Sequence, residues 1–318
     1  MHLIIAPSDI YYLTRVQSHD PGEIMILYSS EKSVIFCDPR TSGLFDVKKY
    51  TIVDRPEKWG EVLSQQKVLE IDPQYLTVSL KEKIEKYGPK ITLQRSPIAQ
   101  QRMIKTPEEI EKLRLSQSKN KSVYEHILPF LVCGVSEKEI ARKILILELE
   151  QGASGPSFPP IVAFWENSAI PHHSPTERKL TANDIILLDM WLIYEGYCSD
   201  MTRMVYQSGI PDEAKKIGEL VTEVTHAIIQ WAKPGMNIAD IDKKAREMLG
   251  EYDKYFTHSL GHGVGIDIHE APGVSSKSSE KLEEWMVITI EPGIYIPGKY
   301  GARYEEMCLV TSSWLLAL

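Results

Sequence analysis

The stretch IILLDMWLIYEGYCSDMTR, residues 185–203, decides which kind of fold the chain can have. The apolar run IILLDM predicts a buried strand, and TRMVYQ at 202–207 predicts a second strand after a polar turn. A carboxylate lies in each segment, Asp189 within the first run and Asp200 just before the second. A buried carboxylate is costly unless a cation, a metal ion or hydrogen-bond donors compensate it. Other polar groups must therefore meet these two acids in the folded chain.

Later apolar segments carry acids in the same way. VITIE ends at Glu291, and YEEMCLV contains Glu305. The glycine-rich stretch SLGHGVGIDIHE, residues 259–270, adds His262 and His269. Taken singly, each residue has an ordinary explanation as a strand end, a turn residue or a solvated histidine. Taken together, four carboxylates and one histidine suit two divalent cations, because carboxylates bridge two ions and screen their repulsion.

Such a pair of ions predicts a hydrolytic site. Two bound ions lower the pKa of a shared water towards neutrality and deliver hydroxide without a protein base of matched pKa. His172 in AIPHHSP and His269 then remain for substrate binding or transition-state stabilisation. Gly261, Gly263 and Gly265 are expected to let the backbone approach the ions. GHGVG is a poor dinucleotide-binding fingerprint, since its third glycine is misplaced and no βαβ unit frames it.

Composition and charge exclude several classes of function. The chain has 318 residues, of which 43% are hydrophobic and 25% charged, as in an ordinary folded protein of one or two domains. The net charge of -8 disfavours nucleic acid or an anionic membrane surface as a partner. No apolar run approaches the roughly 20 residues of a membrane span, and the N-terminus predicts no signal peptide. The four scattered cysteines predict reduced thiols, so we expect a cytoplasmic protein.

The chain is expected to form two domains, residues 1–100 and 101–318. Up to about residue 95, short apolar runs alternate with turns and one amphipathic stretch, which predicts a small α/β domain. Thr106, Pro107 and the two acids behind them predict a helix start, so we place the boundary between Ser96 and Thr106. The second domain is predicted to mix strands with four helices and a long irregular stretch, the helices at 107–130, 136–150, 212–232 and 238–249 and the irregular stretch at 151–180.

Five stretches, in this order, carry a resemblance to a known family: NSAIPHH, LLDMWLIYEGYCSDMTR, GHGVGIDIHE, ITIEPGIYIPG and GARYEEMCLVT. They resemble the creatinase, prolidase and aminopeptidase P group of metallopeptidases. SDIYYLTR and VIFCDPRT are similar to the segments that open the N-terminal domain of that family. The resemblance implies a mixed α/β (α+β) fold, in which a pita-bread catalytic domain follows a small creatinase-type N-terminal domain.

The resemblance also implies roles for individual residues. The implied metal ligands are Asp189 on one ion, Asp200 and Glu305 bridging both, and His262 and Glu291 on the other. His172 and His269 would line the substrate pocket, Glu291 would also shuttle protons, and Arg303 would orient carboxylates. The implied cofactor is a pair of Mn²⁺, Co²⁺ or Zn²⁺ ions, with Mn²⁺ favoured by the oxygen-rich ligands.

The implied reaction is hydrolysis of the imide bond before proline in small peptides with a free N-terminus, by a homodimer built through the N-terminal domain. An Xaa-Pro dipeptidase is favoured because the N-terminal domain is short. Three alternatives stay open: an aminopeptidase P acting on longer peptides, a peptide-binding member of the fold with weak or no catalysis, and a creatine-type amidinohydrolase. The last two usually lack the full set of metal ligands, which this sequence retains.

The chain departs from the family pattern at three positions. Trp191 stands where the family usually has glycine. Because residues two apart on a strand share a face, it is expected to point to the side of Asp189 and crowd the site. Gly273 replaces an arginine that in some prolidases holds the dipeptide carboxylate, with Lys277 nearby, which puts strict dipeptide specificity in question. Glu306 stands where aspartate is more usual.

Overall fold

The computed structural model of the chain describes residues 1–155 and 159–318. Contacts among these residues divide them into two compact units, Met1–Arg102 and Met103–Leu318. Each unit combines helices with sheets, so the predicted mixed α/β class is confirmed. Among the described residues, no helix has both the length and the apolar character that crossing a membrane requires.

The first unit is built on a six-stranded mixed sheet with the strand order β4-β3-β2-β1-β5-β6. Its strands are β1 (His2–Ile4), β2 (Met25–Tyr28), β3 (Val34–Phe36), β4 (Thr51–Val53), β5 (Val68–Ile71) and β6 (Lys90–Leu93). Its helices are α1 (Pro7–Thr14), α2 (Trp59–Leu63), α3 (Val78–Glu85) and α4 (Pro97–Met103).

Both faces of this sheet are buried. Along β2, Met25 and Leu27 belong to one apolar cluster, whereas Ile26, with Ile24 just before the strand, belongs to another on the opposite face. This alternation follows from the two-residue period of a strand. Apolar side chains of the first unit therefore cover the sheet on both sides. Trp59 belongs to the same cluster as Met25 and Leu27.

The second unit contains four helices and twelve strands among its described residues. The helices are α5 (Pro107–Ile127), α6 (Glu137–Glu150), α7 (Asp212–Trp231) and α8 (Ile238–Leu249). The strands are β7 (Ile161–Phe164), β8 (Ile185–Met190), β9 (Ile193–Tyr194), β10 (Tyr197–Cys198), β11 (Met201–Tyr206), β12 (Gly261–Gly263), β13 (Glu270–Val274), β14 (Val287–Ile290), β15 (Gly293–Ile296), β16 (Tyr300–Arg303), β17 (Glu306–Val310) and β18 (Leu315–Ala317).

Sequence signals at the helix starts agree with the structure. Thr106 caps α5 and Ser136 caps α6, each with a glutamate three residues later that completes a capping box. The predicted irregular stretch 151–180 is only partly irregular, because β7 lies within it. The four apolar residues of β7 follow two prolines and are too few to show the alternation of a strand. Only the pairing of β7 with β8 reveals the strand.

An antiparallel sheet with the order β11-β8-β7 supports the first two acids. One face packs on α5 and α6 through a buried cluster that includes Ile186 and Leu188. The opposite face of β8 carries Leu187 and Asp189. Since the helices cover only one side, the carboxylate of Asp189 is directed away from them.

A five-stranded sheet with the order β13-β12-β14-β17-β18 brings the remaining predicted ligands together. Helices α7 and α8 contribute to the apolar cluster that packs on it. His262 lies on β12, and Glu291 directly follows β14. Glu305 lies between β16 and β17, so these two acids stand at strand ends rather than within strands. At a strand end the backbone is no longer held by the hydrogen bonds of the sheet, so the side chain can turn towards a site.

Candidate metal centre

Buried polar side chains of α5 bind the backbone of residues 190–200; they are Ser116, Gln117 and Asn120. Gln117 contacts the backbone of Asp200 in both directions. Its amide donates to the carbonyl oxygen at 3.0 Å, and its side-chain oxygen accepts from the N–H at 3.2 Å. These bonds satisfy backbone groups that a buried turn would otherwise leave unpaired, and they fix Asp200 at the start of β11.

Asp200, His262 and Glu305 converge although they are distant in the sequence. One ligand atom from each lies within 4.8 Å of the others. His262 Nε2 lies 3.6 Å from Asp200 Oδ2 and 3.3 Å from Glu291 Oε1. The side chains therefore surround a common volume, at distances that leave room for a cation between the oxygens and the ring nitrogen.

Arg303, the last residue of β16, is buried and connects Asp189 with Glu305. Its Nη2 donates to Asp189 Oδ2 at 2.5 Å. Its Nε donates to the hydroxyl of Thr202 at 3.0 Å, and that hydroxyl donates to Glu305 Oε2 at 2.8 Å. Asp189 Oδ1 is buried and has no hydrogen-bond partner among the described residues. A buried carboxylate oxygen in this condition is a ready ligand for a cation.

The carboxylates carry more negative charge than the side chains around them neutralise. Burial is the main cause that raises the pKa of Asp189, Asp200 and Glu305, and neighbouring carboxylates add to it. Among the described residues that line the cavity, Arg303 is the one arginine and no lysine is present. Divalent cations would remove both the repulsion and the cost of burial. The set of oxygens with one imidazole nitrogen therefore fits divalent metal ions.

Glu291 and His262 each stabilise the charged form of the other. Burial raises the pKa of Glu291, but the hydrogen bond and charge of His262 outweigh it and lower the pKa to about 2. Burial lowers the pKa of His262, whereas its contact with Glu291 reverses the sign and raises it. The hydroxyl of Thr289 on β14 donates to Glu291 Oε1 at 3.2 Å and accepts from the backbone N–H of His262 at 3.1 Å. Both groups are thereby tied to β14.

The glycines around His262 serve backbone packing. A Cβ at Gly261 would overlap the carbonyl of Thr289, and a Cβ at Gly263 would overlap the carbonyl of Ala271. At Gly265 it would overlap the carboxylate of Glu270. At Gly261 and Gly263 the obstacle is backbone, so a side chain there would displace the strands that hold His262, whereas at Gly265 it is a side-chain carboxylate. The expected approach of the backbone to the ions stays a prediction.

The acids open onto a cavity of about 540 Å³. His172 and His269 both line it, and both are exposed. The His269 ring meets the His262 ring edge-on, with centroids 4.3 Å apart and planes at 86°. Partial burial lowers the pKa of His269 to about 4, and the charge of His262 adds to this effect. His269 is therefore neutral near pH 7 and offers one hydrogen-bond donor and one acceptor to a molecule in the cavity.

Two residues near the site were given no role from the sequence. His258 lines the cavity, and its Nε2 accepts from the hydroxyl of Tyr295 at 2.9 Å. The Tyr295 oxygen in turn accepts from Arg303 Nη1 at 2.7 Å. Burial raises the pKa of Tyr295 to about 12 and lowers that of His258. The only available signal was position, four residues before His262 and four after Glu291, and position alone does not reveal a hydrogen-bond chain.

The three departures from the family pattern have different environments. Trp191 lines the cavity on the side of Asp189, as expected. Gly273 also lines the cavity, and a Cβ there would meet no atom within 4 Å, whereas Lys277 is not among the described lining residues. Glu306 accepts from Arg203 at 2.7 Å and lies outside the described lining. Only the first two positions therefore affect the shape of the site.

Residues 111–312 match the model of Metallopeptidase family M24. The matched segment spans well over half of the chain and includes all of the converging acids and His262. The chain belongs to metallopeptidase family M24. It is thus a metallopeptidase, and the family resemblance of the five sequence stretches is confirmed.

Known relatives agree with this assignment. The M24 chain is 34% identical to an uncharacterized peptidase of Staphylococcus aureus (strain bovine RF122 / ET3-1), over 97% of its own length and 91% of the relative's. It is similar to a solved Xaa-Pro dipeptidase from Bacillus anthracis, with a TM-score of 0.92, 31% identity, and coverage of 99% and 91% of the two chains. A prolidase from Pyrococcus furiosus gives a TM-score of 0.91, 30% identity, and coverage of 99% and 95%. The pita-bread fold is therefore confirmed for this metallopeptidase.

Replacing Arg303 by lysine is expected to lower kcat/KM of the metallopeptidase by about 10- to 100-fold, the usual effect of losing a side chain that orients metal ligands. Lysine keeps the charge but loses the planar group that bonds Asp189, Thr202 and Tyr295 at once. Steady-state kinetics with saturating metal measure the effect. Arg178→Lys is the matched control, because Arg178 also forks between two carboxylates but lies outside the described cavity lining. Equal losses in both variants would contradict the role of Arg303.

Proposed function

We propose that the chain is a dinuclear metal-dependent peptidase that hydrolyses the Xaa-Pro imide bond at the N-terminus of dipeptides or short peptides. The observation that carries this proposal is the convergence of Asp200, His262 and Glu305 within 4.8 Å at the base of an open cavity. Support for the substrate comes from solved structures that are named Xaa-Pro dipeptidase and prolidase. An imide bond has no N–H, so a site specialised for it does not depend on that donor.

In this proposal the ligand set divides between two ions. Asp189 would hold one ion, His262 and Glu291 would hold the other, and Asp200 and Glu305 would be shared by both. When bound, such ions, with Mn²⁺ the first choice for an oxygen-rich set, would lower the pKa of a water and polarise the scissile carbonyl. The orphaned Asp189 Oδ1 and the raised pKa of Asp200 and Glu305 support the assignment, since each is relieved by a nearby cation.

The chain's own residues then bind substrate and handle protons. His269 is neutral near pH 7 and donates a hydrogen bond to the peptide at the scissile position. The hydrogen bond and charge of His262 outweigh burial and lower the pKa of Glu291 to about 2, so its carboxylate is ionised at neutral pH. It would take up the proton that the attacking water releases and pass it to the leaving proline nitrogen. Arg303 holds Asp189 and, through Thr202, Glu305, so that neither carboxylate rotates away from the site.

The dipeptidase is the first candidate, and an aminopeptidase P that accepts longer peptides is the second. The second is favoured by Gly273, which leaves open space at the cavity wall where a side chain would otherwise limit the peptide. A solved X-Pro aminopeptidase from Thermotoga maritima MSB8 is also similar to the chain, with a TM-score of 0.87 and 28% identity. Peptide length therefore separates the candidates.

Removal of metal tests the function directly. We expect metal-free protein to lose Ala-Pro hydrolysis and to regain it with Mn²⁺ or Co²⁺, because the carboxylates alone provide no group that activates water at neutral pH. Release of alanine from Ala-Pro, Ala-Pro-Ala and Ala-Ala is measured after each addition. Cleavage of Ala-Pro alone indicates a dipeptidase, and cleavage of Ala-Pro-Ala indicates aminopeptidase P. Binding without cleavage under all metals would overturn the enzymatic proposal in favour of a peptide-binding member.

The remaining features of the proposal concern organisation. We propose that residues 1–100 act as the creatinase-type N-terminal domain and 101–318 as the catalytic domain, and that the enzyme is a homodimer. All four cysteines are free in the structure, which is typical of proteins in a reducing compartment and supports a cytoplasmic location. Sedimentation equilibrium of the full chain tests the dimer.

A further inference from the structure

The indole of Trp191 forms part of the cavity wall next to the acids. It is 2% exposed and belongs to a small apolar cluster with Ile161 and Leu187. Ile161 pairs with Asp189 across the sheet, and Leu187 precedes Asp189 by two residues on β8. All of these side chains therefore stand on the face of the sheet that faces the cavity.

The position of Asp189 indicates which part of a peptide would meet this wall. A peptide cleaved at its first bond has a single residue on the amino side of that bond, so the side chain of this residue lies close to the carbonyl that is attacked. Asp189 is one of the acids at which the reaction is proposed to occur, and Trp191 and Ile161 line the cavity beside it. The first side chain of a peptide whose scissile bond lies at these acids is therefore within reach of Trp191.

We propose that Trp191 closes the pocket for the N-terminal side chain, so that the enzyme selects Xaa-Pro peptides in which Xaa is small, such as glycine or alanine. The proposal rests on the proposed Xaa-Pro peptidase function and specifies its substrate class. A glycine at this position would leave the space of the indole open, whereas tryptophan fills it with a large rigid ring. Packed interiors do not yield to an added side chain without displacement of their neighbours, so a bulky first residue is disfavoured.

A purely structural role for Trp191 makes a different prediction. The apolar cluster around Trp191 is small, and loss of the indole from it would lower stability in any case. Such a loss reduces the fraction of folded enzyme equally for every substrate. Selectivity between substrates is a ratio and does not depend on the amount of folded enzyme. The ratio therefore separates a specificity role from a packing role.

The test compares kcat/KM for Gly-Pro, Ala-Pro, Leu-Pro and Phe-Pro in the Mn²⁺-loaded full chain. We expect wild type to prefer Ala-Pro over Phe-Pro by about 10-fold or more, since one extra methylene group changes such ratios by about 10- to 200-fold. Trp191→Gly is expected to reduce or reverse this preference, and Trp191→Phe to give an intermediate ratio. Trp59→Phe is the control, because Trp59 is also buried, at 4% exposure, but lies in the first unit, outside the described cavity lining.

Two outcomes would overturn the proposal. One is an Ala-Pro to Phe-Pro ratio that stays unchanged in both Trp191 variants, and the other is a wild type that prefers Phe-Pro. If Trp191→Gly does not fold, as seen by circular dichroism, Trp191→Phe gives the decisive ratio. If wild type cleaves none of the dipeptides, the proposed function fails by itself. Calorimetric titration with Ala-Pro and Phe-Pro analogues whose scissile carbonyl is reduced to methylene then tests the same selectivity in binding.

Discussion

Asp200→Ala is expected to lower kcat/KM for Ala-Pro by at least about 1,000-fold while the protein stays folded. Asp200 is the central acid of the site, since it lies near both His262 and the Glu305 carboxylate. If Asp200 is shared by two ions as we propose, its removal would leave each ion one ligand short and the two ions less well screened from each other. Steady-state kinetics and the metal content after dialysis measure the two parts of this effect.

Stability is expected to change little, or to rise, in metal-free Asp200→Ala. Burial and the nearby acids raise the pKa of Asp200, so the carboxylate is a cost to the metal-free fold rather than a source of stability. Asp212→Ala is the control, because Asp212 is exposed at the start of α7. Full activity of Asp200→Ala with two metal ions bound would contradict the assignment of the site.

Glu148→Met is expected to stabilise the protein by about 3 kcal/mol at pH 7, the second large effect. Glu148 lies on α6 with 0% exposure, and neither carboxylate oxygen has a hydrogen-bond partner among the described residues. Burial raises its pKa to about 8, so the folded protein keeps this carboxyl group protonated at neutral pH. Methionine has a similar unbranched shape. At neutral pH the buried carboxyl group of Glu148 must either take up a proton or keep its charge away from water, and methionine removes both costs.

The pH dependence gives the sign of this effect. Because the folded pKa lies above that of the unfolded chain, wild type has its full stability below about pH 4.5 and loses it as the pH rises towards 8. The gain from Glu148→Met should therefore be small at pH 4 and grow up to about pH 8. Urea unfolding at several pH values measures it, with Glu150→Met on the exposed side of α6 as the control. A gain that is independent of pH would show that Glu148 is not buried in its neutral form.

Much of the site follows from local sequence pattern. Asp189 interrupts an apolar run, and a buried acid requires a partner wherever the strand lies, so its role as a candidate ligand was predictable. Helix starts at Thr106 and Ser136 were predictable as well, because a capping box involves only neighbouring residues. The strand β7 was missed, since four apolar residues show no period and only pairing with β8 defines them.

Acids on apolar runs, a histidine among glycines, and the family motifs that contain them were enough to predict the type of chemistry from residue order alone. The tertiary structure decided which groups meet. Only folding shows that Tyr295 and His258 extend the hydrogen bonds of Arg303, and that a Cβ at Gly265 would meet the carboxylate of Glu270. The physical reason is that residue type and local spacing fix what a side chain can do, whereas contacts between distant strands depend on the packing of the whole unit.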